Sequence, residues 1–221
     1  MKTKQLLFLI VTLCMPLSLY AHDFEVDGIY YDIENLSNKT VAVTYKGEQY
    51  DSYSNEYTGI ITIPSNVTYY GVVYRVTSIG FYAFGGCSGL HEVTIPNSVT
   101  SISNNAFRGC TGLTSISIPN SVTEIGDNAL YYCAGLTEVT IPNSITKIGT
   151  DAFGFCTSLT KVTIPESVTL IGMCAFGGCT GLTEVTIPNR LDIDNYVFYG
   201  CSGIHIKFVE NKKIVRRGYL E

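Results

Sequence analysis

The stretch "GLHEVTIPNSVTSISNNAFRGC" (residues 89–110) is rewritten three times, as "GLTSISIPNSVTEIGDNALYYC" (112–133), "GLTEVTIPNSITKIGTDAFGFC" (135–156) and "SLTKVTIPESVTLIGMCAFGGC" (158–179). Pro96, Pro119, Pro142, Pro165 and Pro188 recur every 23 residues. Cys87, Cys110, Cys133, Cys156 and Cys179 keep the same step, and Cys201 follows after 22. A unit this short cannot bury its own apolar face, so repetition implies stacking, with each unit supplying one side of its neighbour's core.

The pattern inside one unit predicts its path. Leu113, Ile116 and Ile118 are spaced by three and two, as for residues entering and then alternating along a short strand. Pro119 ends that strand by removing a ladder donor, and Asn120 turns the chain. Val122 and Ile125 return a second apolar pair to the interior, and Ala129, Leu130 and Cys133 pack a short turn or 3₁₀ segment opposite the strand. Stacking at about 4.8 Å would make continuous columns, one of them Ile95, Ile118, Ile141, Ile164 and Ile187. Another is Phe84, Phe107, Phe153, Phe176 and Phe198, with Leu130 substituting once. A fixed period of this length with Leu-x-x-Val-x-Ile spacing is the leucine-rich-repeat signature. The predicted fold is a β-rich, right-handed leucine-rich-repeat solenoid of 23-residue coils, with a short strand and a turn or 3₁₀ segment in each.

The flanks divide the chain further. Lys2 and Lys4 precede the apolar run Leu6–Leu13, Pro16 breaks it, and Ala21 offers a small residue for cleavage. Residues 1–21 therefore read as a secretory signal peptide. Residues 22–75 lack the period and are rich in Tyr; "GIYYDI", "TVAVTY" and "GIITIP" alternate like strands. Extra residues between Pro64 and Val76 predict a hairpin inserted into the first coil. This region is expected to form an N-terminal β cap, with the solenoid at 76–208 and a basic, solvated C-terminal tail at 209–221.

Composition removes several function classes. Of 221 residues 46% are hydrophobic and 15% charged, which rules out disorder. A net charge of −5 argues against nucleic-acid binding, and no stretch after the leader is apolar enough to be a transmembrane helix. Only 3 His are present, and His91 and His205 fall at variable surface positions. No nucleophile–base pair, phosphate loop or zinc-ligand spacing can be assembled, so neither an enzyme nor a cofactor is expected. A Cys repeated at one inward position places neighbouring Cβ vectors parallel, which suits buried thiols better than disulfides. Cys174 stands in the slot of Asn105, Asn128 and Asp151, and is the first suspect for a disulfide or reactive thiol.

A binding surface remains. Strand residues between the inward ones must face outward: Glu92 and Thr94, Ser115 and Ser117, Glu138 and Thr140, Lys161 and Thr163, Glu184 and Thr186. Thr94, Ser117, Thr140, Thr163 and Thr186 are expected to form a continuous hydroxyl ladder. The second candidate surface is the aromatic hairpin with Tyr69, Tyr70 and Tyr74. Spacing alone also allows a bland reading, since Thr favours exposed strand positions whether or not a ligand is bound.

The units "IPNSVTxIGxxAFxxCxxL" from about Val76 to Phe208, with "DFEVDGIYYDI" (Asp23–Ile33) before them, resemble the BspA-like leucine-rich-repeat proteins of bacterial surfaces. That resemblance implies a secreted or surface-exposed protein, some members of the family acting as adhesins for host matrix proteins or other cells. The expected function is a recognition module that binds an extracellular protein or glycan, and the alternative is a structural cell-envelope protein with no specific ligand.

Overall fold

The computed structural model describes residues 22–46, 57–193, 195–210 and 213–219. The signal peptide expected at 1–21 lies outside the described residues. The chain opens with β1 (Phe24–Val26), β2 (Ile29–Asn35) and β3 (Thr40–Thr44), an antiparallel meander. It continues with β4 (Gly59–Thr62) and a hairpin of β5 (Asn66–Tyr69) and β6 (Val72–Ile79). From there each coil carries two strands. The first of each pair are β7 (Leu90–Thr94), β9 (Ser115–Ser117), β11 (Glu138–Thr140), β13 (Lys161–Thr163) and β15 (Glu184–Pro188). The second are β8 (Ser101–Ile102), β10 (Glu124–Ile125), β12 (Lys147–Ile148) and β14 (Leu170–Ile171). A 3₁₀ turn at Asn195–Phe198 precedes β16 (His205–Glu210) and β17 (Lys213–Tyr219).

Stacking is parallel and in register, as the repeat requires: Val93 lies beside Ile116, Ile116 beside Val139, and Val162 beside Val185. The two-residue strands add a side that spacing did not reveal as a sheet. Ile79, Ile102, Ile125, Ile148 and Ile171 align along it, and through the β3–β6 pairing it runs on into the N-terminal meander. The turn side closes the coil with its own main-chain ladder, in which Phe84, Phe107, Leu130 and Phe153 each donate to the following coil's Ala carbonyl at 2.7 Å.

The interior is one continuous core of the predicted columns. Phe84 and Phe107 stack with centroids 4.9 Å apart, Phe153 and Phe176 at 5.0 Å, and Leu130 fills the interval between the two pairs. At the N-terminal end Tyr57 lies 4.7 Å from the Phe84 ring. Its hydroxyl donates to the Thr44 carbonyl and accepts from the Tyr30 amide, which gives the buried phenol two partners.

The thiol column is more than apolar filling. Sγ of Cys110, Cys133, Cys156, Cys179 and Cys201 donates to the main-chain carbonyl of Phe84, Phe107, Leu130, Phe153 and Phe176, at 3.0–3.3 Å. Burial, reinforced by bonding to Cys110, pushes the Cys133 thiol well up from its ordinary range. Bonding to Cys156 does the same for Cys179, and bonding to Cys179 for Cys201. No disulfide joins the seven described cysteines.

Cys174 is half-buried, and its φ is 54°, matching Asn105, Asn128 and Asp151 at 59°, 54° and 52°. This left-handed turn position explains why Asn and Asp recur there. The chain end also differs from the expected tail, because β17 pairs antiparallel with β16.

Candidate functional site

The strand face is built by alternation. With Ile116, Val162 and Val185 turned inward, their neighbours in sequence must point out. Glu92, Thr94, Ser117, Glu138, Thr140, Lys161 and Thr163 are exposed, while Ser115, Glu184 and Thr186 are half-buried. All ten thus lie on one side of the solenoid.

The ladder they form is not continuous. Strands β4, β7, β9 and β11 make one sheet, and β13, β15, β16 and β17 another; no ladder joins β11 to β13. In the regular coils the Thr137 amide donates to the Thr114 carbonyl at 3.1 Å and Thr183 donates to Thr160 at 2.9 Å, each backed by the Thr hydroxyl. The equivalent pair of bonds from Thr160 to Thr137 is not formed. Across this gap Val139 loses the full burial of its counterparts Val93 and Val162. The opposite sides stay closed: β12 still pairs with β14, and Leu130 still bonds Ala152 at 2.7 Å. The solenoid opens on the strand face alone.

A cleft of about 700 Å³ occupies the opening, within the range of small-ligand sites. Thr137, Glu138, Thr140, Lys161 and Thr163 line it, with Val139 and Ile141 below. A smaller depression of about 300 Å³ beside Glu92, Ser115 and Ser117 shares Glu138 and Thr140 with it, so the two run on as one groove.

Charge along the groove is uneven. Lys161 pairs with Glu184 at 2.5 Å, and Lys207 closes on the same carboxylate from the next strand. Bonding to these two ammonium groups holds the Glu184 carboxyl down at about 2, so it stays ionised in mildly acidic solution. Glu138 joins no ion pair among the described residues.

The hairpin surface needs correcting. Tyr70 is 79% exposed, but Tyr74 is 7% exposed and belongs to the core, with its ring 5.7 Å from Phe24. Strand β6 alternates, and Tyr74 shares the inward phase with Val76. Tyr69 is half-buried, stacked on Phe24 at 4.2 Å, so of the three only Tyr70 is exposed, its ring 4.4 Å from that of Tyr69. The turns carry a further exposed set: Tyr132 and Phe155 are exposed at positive φ, where sister coils carry Gly109 and Gly178. Arg108 sits over the Tyr131 ring at 4.8 Å beside them. No cluster of metal-ligating side chains occurs among the described residues.

The profile of the BspA type leucine rich repeat region matches residues 76–213 in 6 copies. The chain belongs to this family. A leucine-rich repeat protein from Bacteroides ovatus is similar at 31% identity and a TM-score of 0.70, over 87% of this chain and 54% of that one. The chain thus spans about half the length of that relative. A leucine-rich repeat protein of T. pallidum is similar at 28% identity and a TM-score of 0.66, over 83% of this chain and 80% of the other. The pneumococcal vaccine antigen PcpA shares the fold, at 19% identity and a TM-score of 0.55, over 87% and 52% of the two chains. Comparison with curated proteins returned no match. BspA-type repeats are characteristically binding modules without catalysis.

Proposed function

We propose that this chain is an exported, non-catalytic recognition module that adheres to an extracellular macromolecule through its strand face. The groove shared by the two depressions, centred on Glu138 and Thr140, carries this reading. A periodic face presents equal groups at a fixed spacing, and several weak contacts then add without a deep pocket. The basic leader at 1–21 and the printed description of PcpA as a vaccine antigen are in keeping with exposure outside the cell. A structural envelope protein without a specific ligand is the alternative.

Mature protein probed on an array of matrix proteins and glycans should bind saturably. Replacing Glu138, Thr140, Lys161 and Thr163 together with Ala should reduce that binding at least tenfold, while Tyr70→Ala should leave it unchanged. Both variants must keep the wild-type circular dichroism. Equal binding by the quadruple variant would exclude the strand face.

A further inference from the structure

The opening between β11 and β13 has a local cause. Gly112, Gly135 and Gly181 occupy one position in three of the repeat turns, tight against the preceding coil. A Cβ added there would lie 2.2, 2.4 and 2.4 Å from the main-chain oxygens of Ser88, Thr111 and Thr157. No side chain tolerates that approach, so regular stacking at this corner requires Gly. The counterpart in the intervening coil is Ser158. Its Cβ cannot take the same place against the Ala134 carbonyl, and the coil stands off. The lost Thr160–Thr137 bonds, the missing ladder and the uncovered Val139 all lie within a few residues of this wedge.

We propose that the cleft opened by Ser158 is a binding site for a neutral, hydroxyl-rich saccharide chain, whose hydroxyls enter the gap between β11 and β13. This rests on the strand-face reading above and deepens it. The width of the gap decides against an intercalated peptide strand. Cα atoms of β11 and β13 still approach within 8 Å, whereas a strand hydrogen-bonded to both edges would hold them about 9.6 Å apart. A hydroxyl fits the narrower gap and both donates and accepts, as two facing main-chain edges require. Charge favours a neutral ligand: Glu184 and Glu138 together offset Lys161 and Lys207, and Glu138, in no ion pair among the described residues, stands ready to accept hydroxyl donors. The continuation of the groove toward Glu92 suits a chain rather than a single sugar.

The test compares mature wild-type protein with Ser158→Gly and Glu138→Gln on a printed array of neutral glucan, mannan, galactan and xylan oligosaccharides, beside a library of extended peptides. Wild type should bind at least one saccharide series, with affinity rising with chain length. Ser158→Gly should lose at least tenfold while its melting temperature stays the same or rises and its Thr160 amide becomes protected from exchange. Glu138→Gln, which leaves the wedge intact, should lose about tenfold. Failure to bind any neutral saccharide, preference for peptides, or unchanged binding by Ser158→Gly with a healed ladder would overturn the proposal. If Ser158→Gly binds normally but the strand-face quadruple variant does not, the cleft is wrong and the recognition face stands.

Discussion

Asp32 illustrates how one residue's surroundings set a measurable property. Burial, with the nearby charges of Asp23 and Glu34 adding to it, raises its carboxyl from the ordinary 3.8 to about 6. The folded value lies above the unfolded one, so the neutral form favours folding. Its contribution is complete below about pH 4 and is lost as pH rises toward 6. Solvent screening of this partly exposed group limits the effect to about 1 kcal/mol. Chemical denaturation of Asp32→Asn should therefore match wild type at pH 3.5 and be more stable above pH 6; equal stability at both would contradict the assignment. The thiols make a second residue-scale test. Buried, hydrogen-bonded S–H groups with raised pKa react slowly. Titration of folded protein at pH 8 with a disulfide reagent should label at most the half-buried Cys174 and Cys201, and unfolding should release all seven described thiols. Rapid labelling of Cys133 would refute the hydrogen-bonded column. The inward placement of these cysteines was legible from spacing, since an apolar column must recur with the period. Their donation to carbonyls of the preceding coil was not, because that depends on how closely the coils approach.

At the scale of elements, strand phase followed from Leu113, Ile116 and Ile118, and it placed the outward residues on one side of the solenoid. It failed at Tyr74, where an irregular hairpin replaces the repeat and only the pairing of β5 with β6 fixes which side faces in. It also missed the break between β11 and β13. The letter that changes, Ser158 for Gly, is plain in the sequence, but its meaning depends on a main-chain oxygen a whole coil away. Amide exchange measures the break directly. Thr137 and Thr183 donate to carbonyls and should be protected, whereas Thr160 should exchange at least tenfold faster. Equal protection at all three positions would mean that the ladder is continuous after all. Away from the break, Ile148→Ala empties a fully buried site and should cost about 2–5 kcal/mol in denaturant unfolding. Lys147→Ala removes only an exposed pair with Glu124 at 4.0 Å and should cost less than about 0.5 kcal/mol; the reverse order would put the second strand out of phase.

Taken as a whole, the molecule is a stack whose core is repetitive and whose surface is not. Stacking makes each coil's interior depend on its neighbours, so the columns tolerate little beyond Leu130 for Phe or Val for Ile. Outward positions carry no such constraint, and the charges along the strand face differ from coil to coil. Within the repeats two regions differ from the rest: the opened strand face, and the turn ridge with Tyr131, Tyr132 and Phe155. The strand face joins an opening in the main chain to a groove, whereas the ridge has exposed rings on a closed ladder. Hydrogen–deuterium exchange of mature protein, with and without a saturating array-identified ligand, separates them in one experiment. The account predicts slowed exchange across 137–143 and 160–165, with the turns at 127–133 and 150–156 unchanged. Protection confined to those turns, with the cleft still exchanging freely, would contradict it.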